Sequence, residues 1–328
     1  MIITKTPFRI SFCGGGSDLA AFYHQHEGCV LSTTINKYCY LSIHPYFDER
    51  QTLLKYSANE LVDNIQEIDH KIFRCVLNEY GLEGVEIVST ADVPAGTGLG
   101  SSSTFTVGLL NTINCYNGKF VSKAWLAKEA CNVEIEKLHS PIGKQDQYAA
   151  AFGGLNFIRF HSDDTVSVEP IIMKPETYKD LDKNLVMFYT GLKHDANTIL
   201  AKQKNNMSQK DKVANLREMT KLAWKMKAAL EENELASFGR ILDEGWQLKR
   251  SLATGITNPI LDEIYATAMK NGALGGKLLG AGGGGFFLFY CAQEKQEQLF
   301  SALNLRKFDF HFERDGASVI YIGDKYWD

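Results

Sequence analysis

Between Phe8 and Phe12 apolar and polar residues alternate, so Phe8, Ile10 and Phe12 take one face of a strand and Arg9 and Ser11 the other. That strand runs out at Gly14-Gly15-Gly16. Residues 30–35, 38–44 and 85–89 are predicted strands, and a short helix is predicted near 19–24. Ile65, Ile68, Ile72 and Val76 keep the spacing of one helix that stops at Gly81. Beyond the loop at 94–103, Phe105, Leu109, Ile113 and Tyr116 predict a core helix, and Ala127, Ala130, Ile135 and Leu138 a second. From 212 to 271 the pattern is that of successive helices. It then reads strand (273–279), glycine loop, strand (286–291), helix (294–303) and two strands (307–313 and 317–322). Phe308, Phe310 and Phe312 alternate with Asp309 and His311 as one half-buried strand. The expected fold is α+β in two lobes, residues 1–180 and a helix-rich 181–328, with the boundary between 170 and 185.

Composition narrows the classes. The 328 residues are 45% hydrophobic, enough for a substantial core. A formal charge of −4 argues against gripping nucleic acid, which needs a basic face. Cys13, Cys29, Cys39, Cys75, Cys115, Cys131 and Cys291 are odd in number and never spaced C-x-x-C, so they read as reduced thiols. The chain opens straight into strand-like sequence, and no apolar run approaches the roughly 20 residues of a membrane span, so a cytoplasmic, non-membrane protein is expected. Nothing in the sequence specifies an oligomeric state.

In Pro94-Ala95-Gly96-Thr97-Gly98-Leu99-Gly100-Ser101-Ser102-Ser103-Thr104, three glycines at alternate positions precede four hydroxyl residues and a helix. Glycine lets the backbone close on an anion, and a helix N-terminus offers free N–H groups, so the segment suits a polyphosphate. It lacks the lysine of a Walker A loop; the plain alternative is a glycine turn with serine caps. Gly280, Gly282 and Gly285 form a G-x-G-x-x-G, but the apolar run from Phe286 to Tyr290 that follows is strand, which excludes a Rossmann site. Glu134 lies on the helix after the phosphate loop, with Glu136 as a competitor, and Asp146 follows a Pro- and Gly-broken stretch that frees it to face a cleft. Arg9 projects toward the glycine turn, either to stabilise phosphoryl charge or to make a structural ion pair. By position alone Asp18 suits the cap of the short helix near 19–24. His24 and His26 have no ligand-spaced partner and suit a surface.

Three of these segments, in order, resemble the motifs of the GHMP kinase superfamily, which includes galactokinase, homoserine kinase, mevalonate kinase and phosphomevalonate kinase. They are Pro7-x-Arg9 leading into Gly14-Gly15-Gly16-Ser17-Asp18, the loop from Pro94 to Thr104, and Lys277-Leu278-Leu279-Gly280-Ala281-Gly282-Gly283-Gly284-Gly285-Phe286. The resemblance implies a ribosomal-protein-S5-like N-terminal lobe and a ferredoxin-like C-terminal lobe, with ATP and Mg²⁺ between them. It assigns Pro94, Gly96, Gly98, Leu99, Gly100, Ser101, Ser102 and Ser103 to the nucleotide, Ser102 and Glu134 to the metal, and Asp146 and Arg9 to catalysis. Asp18, Gly15, Gly16, Lys144, Gly282 and Gly283 fall to the acceptor.

Galactokinase carries a Glu-His pair where this chain has Gly15-Gly16, which disfavours galactose. The run from Arg9 to Leu19, Leu31-Ser32-Thr33-Thr34-Ile35-Asn36-Lys37-Tyr38, Gly143-Lys144-Gln145-Asp146-Gln147-Tyr148-Ala149 and Tyr189-Thr190-Gly191 look like the D-glycero-D-manno-heptose 7-phosphate kinases. That implies attack by the anomeric hydroxyl on ATP, with Lys144, Lys193 and His194 as candidate anchors for the acceptor's phosphate. Fucokinase-type enzymes share much of the pattern. A catalytically silent ATP-binding sensor is disfavoured by the retention of Arg9, Ser102, Glu134 and Asp146 together.

Overall fold

The computed structural model describes residues 1–192, 196–206 and 209–323. The first half runs β1 (Ile2–Cys13), α1 (Ala20–Tyr23), β2 (Gly28–Pro45), β3 (Thr52–Lys55), β4 (Asn59–Val62), α2 (Lys71–Tyr80), β5 (Val85–Ala91), α3 (Ser101–Tyr116), α4 (Lys123–Cys131), α5 (Gln145–Phe152), β6 (Leu155–Phe160) and β7 (Val166–Pro170). It continues with α6 (Pro175–Asn184), β8 (Leu185–Tyr189), α7 (Ala196–Asn205), α8 (Lys210–Glu231), α9 (Leu235–Arg250), α10 (Pro259–Lys270), β9 (Ala273–Leu278), β10 (Phe286–Cys291), α11 (Gln293–Leu303), β11 (Arg306–Lys307), β12 (Phe312–Glu313) and β13 (Ser318–Ile322). Among the described residues no helix is long and apolar enough to cross a membrane.

Two sheets organise the chain. The larger follows the order β13-β1-β2-β5-β3-β4, with β6 and β12 also on β2 and β7 on β6. The smaller is antiparallel, β11-β8-β10-β9. β8 lies just past the expected boundary, yet β12 and β13 return to the larger sheet, so the two ends of the chain pair there: Ile2 opposite Ile322 and Lys5 opposite Ser318. The smaller sheet is buried on both faces. Phe287 and Phe289 join Trp246 and Tyr265 on one side, while Phe286, Leu288 and Tyr290 join the main core with Phe12 and Phe238 on the other. That double burial is why the sequence of β10 is apolar without alternation.

Three expected elements differ from those observed. Residues 30–35 and 38–44 belong to the single strand β2, which pairs with β6 over its first half and β5 over its second. The half-exposed Asn36 and Lys37, left between the two expected strands, lie where it changes partner. The helix expected from Ile65 divides into a 3₁₀ turn capped by Asn64 and then α2, capped by His70, with Ile68 buried between them. The strand expected at 307–313 keeps only its ends, because β11 pairs with β8 and β12 with β2, and the segment crosses between sheets. The short helix, the α3 helix and the strands around the glycine loop form as expected.

Candidate active site

The phosphate loop is built by close approach of main chain. Gly96, Gly98 and Gly100 all have positive φ, at 76°, 88° and 78°, a region that side chains with a Cβ rarely occupy. A Cβ on Gly98 would collide with the Leu279 carbonyl, and one on Gly280 with Gly98 itself. The loop and the third glycine motif are therefore packed backbone to backbone. Pro94, Ala95 and Gly96 form its exposed rim, while Thr97 and Leu99 are buried. Thr97 donates to the Pro94 carbonyl at 2.9 Å. Gly100 then caps α3 with no side chain in the way, and the first turn presents Ser101, Ser102 and Ser103.

Ser102 is exposed at the loop, and its hydroxyl donates to Glu134 Oε1 at 2.6 Å. Glu134 stands on a π-helical turn, Asn132–Lys137, that continues α4; such bulges recur at functional sites because they re-aim one side chain. Gln147 of α5 donates to Glu134 Oε2 at 2.8 Å. Glu134 is 1% exposed, and burial pushes its carboxyl above the usual range, with Ser102, Ser103 and Gln147 pulling it back. The Gln147 Oε1 atom beside it is buried without a hydrogen-bond partner. Glu136, the competitor, is exposed.

Arg9 and Asp146 form a bidentate pair. Arg9 Nε donates to Asp146 Oδ1 and Nη2 to Oδ2, both at 2.7 Å, and Nη1 donates to the Gly98 carbonyl at 2.7 Å. The guanidinium is 3% exposed and the carboxylate side chain 22%. The ion-pair alternative for Arg9 is the one observed, and the pair abuts the glycine-rich loop through Gly98.

Asp18 does not cap α1, whose N-cap is Leu19 with no side-chain bond. It accepts instead from Gly16 N at 2.8 Å and Gln145 N at 3.2 Å. Burial, then the charge of Asp146, pushes its carboxyl upward. Gly143 fits only because it has no Cβ, which would overlap the Asp18 carboxylate. A cavity of about 280 Å³ opens beside Asp18, lined also by Tyr23, Glu136, His139 and Lys144. A larger recess of about 450 Å³, around Lys71, Arg74 and Glu79, shares none of the paired groups above and has no catalytic constellation.

Residues 56–154 match the family described as GHMP kinases N terminal domain, and residues 226–308 match GHMP kinases C terminal. A D-glycero-alpha-D-manno-heptose 7-phosphate kinase of Campylobacter jejuni is 30% identical over 333 residues, covering 96% of this chain and 98% of that protein. The chain belongs to the GHMP kinase family. It is a sugar kinase, a phosphotransferase acting on an alcohol group, in a family that takes ATP as phosphate donor. An L-fucokinase/L-fucose-1-P guanylyltransferase of Bacteroides fragilis is 32% identical over 242 residues, 70% of this chain and 24% of that protein. Among solved structures, that of a D-glycero-D-manno-heptose 1-phosphate kinase from Bacteroides thetaiotaomicron superposes with a TM-score of 0.80 at 26% identity, covering 99% of this chain and all of that one.

Other expected residues of this GHMP kinase take more particular positions. Lys144 lines the cavity, but its ammonium is held by Asp164 at 2.8 Å and lies 4.6 Å from the centre of the Tyr23 ring. Asp164 also accepts from Tyr23 and meets His24. Gly15 and Gly16 lie in the turn into Asp18, and a Cβ on Gly15 would just touch the Ser11 hydroxyl and the Gln145 amide, at 3.6 and 3.8 Å. Gly282 and Gly283 meet the Ile256 backbone and do not line the cavity beside Asp18: Gly283 N donates to the Ile256 carbonyl at 2.9 Å, and a Cβ on Gly282 would sit 2.7 Å from Ile256 Cα. That packing accounts for both glycines. Lys193 and His194 lie outside the described residues.

Sequence reasoning missed two buried cations. Lys277, quoted within the third motif but given no role, donates to the Ser11 and Phe12 carbonyls at 2.6 and 3.1 Å and so clips the end of β1. Lys249 on α9 donates to the Gly280 carbonyl at 2.6 Å. Gln145 and Gln147, quoted in their motif without a role, belong here too. Gln145 accepts from Ser11 at 3.0 Å, and Gln147 holds Glu134.

Proposed function

We propose that this kinase transfers the γ-phosphoryl group of ATP to the anomeric hydroxyl of D-glycero-D-manno-heptose 7-phosphate, giving the 1,7-bisphosphate. The observation that carries the reading is the Arg9–Asp146 pair, held against the Gly98 carbonyl and close enough to Asp18 for the Asp146 charge to act on it. Phosphoryl transfer demands positioning and charge stabilisation more than covalent chemistry, and this pair has both elements. Asp146 aims the hydroxyl and accepts its proton, while Arg9 orients Asp146 and faces the developing negative charge. As the acceptor oxygen bonds to phosphorus, the bond to the bridging oxygen breaks and its electrons leave with ADP. Asp18 receives hydrogen bonds from sugar hydroxyls, and Gly15 and Gly16 leave room where bulkier side chains would stand.

The residues fit Mg²⁺. Ser102 and Glu134 offer two hard oxygens 2.6 Å apart, and Glu134 is a buried carboxylate with no cation against it among the described residues. No cluster of three His, Cys, Asp or Glu forms among those residues, which agrees with an ion bound by one or two protein oxygens together with substrate phosphates. When bound, the ion neutralises phosphate charge. The heptose relatives support the acceptor, although one is named for the 7-phosphate and the other for the 1-phosphate. ADP release over a panel of phosphorylated and free sugars tests the reading; turnover of L-fucose in place of heptose 7-phosphate would assign the chain to fucokinase activity.

A further inference from the structure

α9 packs against the end of β1 at Gly245, where the absence of a side chain lets it come close. A Cβ on Gly245 would lie only 3.4 Å from the Cys13 sulfur, and Lys249, one turn later, shares that face. The chain leaving Cys13 is the loop from Gly14 to Asp18, so Lys249 comes up beside it. Its neighbour Arg250 turns to Asp262 at 2.7 Å instead. Lys249 is 6% exposed. It makes its single hydrogen bond to Gly280, and among the described residues no carboxylate pairs with it. An ammonium has three donors; two remain unspent in a setting where unsatisfied polar groups are costly.

The charges that act on Lys249 come from four other segments of the chain. Arg9 on β1 repels it, Asp18 in the acceptor loop and Asp146 on α5 attract it, and Lys277 on β9 is repelled by it in turn. Burial and then Arg9 push the ammonium down to about 8. Arg9 is committed to Asp146, Asp18 to backbone N–H groups, and Lys277 to two carbonyls, which leaves Lys249 with no counter-ion. The Gly280 carbonyl it holds belongs to the turn packed on Gly98 of the phosphate loop. We propose that Lys249 is a catalytic residue of the phosphoryl transfer, its two unspent N–H groups binding oxygens of the phosphoryl group as it passes from donor to acceptor beside Arg9. This rests on phosphoryl transfer itself and not on which sugar is the acceptor.

The test uses Lys249→Met and Lys249→Arg in the full chain. Single-turnover ADP formation is measured with heptose 7-phosphate and with L-fucose, and calorimetry compares ADP with a non-hydrolysable ATP analogue. The Met variant is expected to lose about 10²- to 10³-fold in rate, the range for removing one preorganised donor, with acceptor KM changed by less than roughly threefold. It should also lose most of the analogue's advantage in affinity over ADP. The wild-type rate should fall above about pH 8 as the ammonium loses its proton, whereas the Arg variant, always charged, should lack that limb. A wild-type rate in the Met variant, equal losses for ADP and analogue, or an alkaline limb surviving in the Arg variant overturns the proposal. So does a defect confined to KM for the phosphorylated acceptor, which would make Lys249 the anchor of the acceptor's own phosphate. The pH profile of the Arg variant decides the question should the Met variant fail to fold.

Discussion

Asp146→Asn separates the chemistry of the pair from its shape. The amide can accept from Arg9 Nε through its oxygen, but its NH₂ then confronts the Nη2 donor, which now bonds Asp146 Oδ2 at 2.7 Å. One charge-assisted bond is lost, worth about 1.5–3 kcal/mol, and a guanidinium 3% exposed keeps only Gly98 as a strong partner. Breaking a fully buried pair costs about 3–5 kcal/mol. Because the Asp146 side chain is 22% exposed, water screens part of the loss, and about 2 kcal/mol is expected. At roughly 2 °C per kcal/mol for a chain of this size, Tm should fall by about 4 °C. The rate should fall much further. A group that accepts or directs a proton contributes about 10²- to 10⁴-fold, so the single-turnover rate should drop at least about 10²-fold while ATP Kd changes less than about threefold. Arg9→Met alone and with Asp146→Asn completes a cycle in which the double variant should be little worse than either single one, as for groups that act as a unit. A wild-type single-turnover rate in a folded Asp146→Asn protein, or a loss appearing only in ATP affinity, would refute the assignment.

Glu134→Gln should keep the fold, since it removes a buried charge, but should abolish most of the difference between ATP affinities measured with and without Mg²⁺; calorimetry under both conditions checks this. Gly143→Ala drives a methyl group into the Asp18 carboxylate, so kcat/KM for the sugar should fall at least about tenfold, with ATP Kd nearly unchanged by the same titration. Stability should also carry the mark of Lys249. Its ammonium titrates at about 8 when folded against 10.5 unfolded, so the unfolded chain binds more protons between those values and stability rises with pH across them. Measured against wild type, Lys249→Met should therefore be about 2 kcal/mol less favourable to stability near pH 9.5 than near pH 7.5, from roughly 1.36 kcal/mol per unit; urea unfolding of both proteins at the two pH values measures it.

The parts of the site legible in the sequence are those where the chemistry is local. The alternating glycines at 96, 98 and 100 announce positive φ and close backbone approach, and the hydroxyls after them announce a helix start. Asp146 was legible because Pro141 and Gly143 break the helix before it. What stayed hidden depends on distant packing. Lys249 sits in Gln247-Leu248-Lys249-Arg250, which reads as a solvated helix end, yet it is buried and reaches the distant Gly280 carbonyl. Lys144 looks like a free cation until the β6–β7 turn brings Asp164 to it. Gly282 and Gly283 read as a substrate loop because nothing in the sequence shows Ile256 pressing on them. Likewise Asn36 and Lys37 read as a gap between two strands, since the strand exchanging β6 for β5 as its partner leaves no local signal.

The central claim is a phosphoryl transfer to the anomeric oxygen of an already phosphorylated heptose, and product analysis tests it most directly. The enzyme is given Mg²⁺-ATP with D-glycero-D-manno-heptose 7-phosphate, the free heptose, L-fucose, galactose or mevalonate; ADP release is followed, and the product is read by phosphorus NMR. The expected result is a kcat/KM for heptose 7-phosphate at least about tenfold above every other acceptor, on the scale of the 1–3 kcal/mol that one added polar contact contributes to discrimination, with the new phosphate on carbon 1. Efficient turnover of fucose with none of heptose 7-phosphate, or a second phosphate on any other carbon, would contradict it.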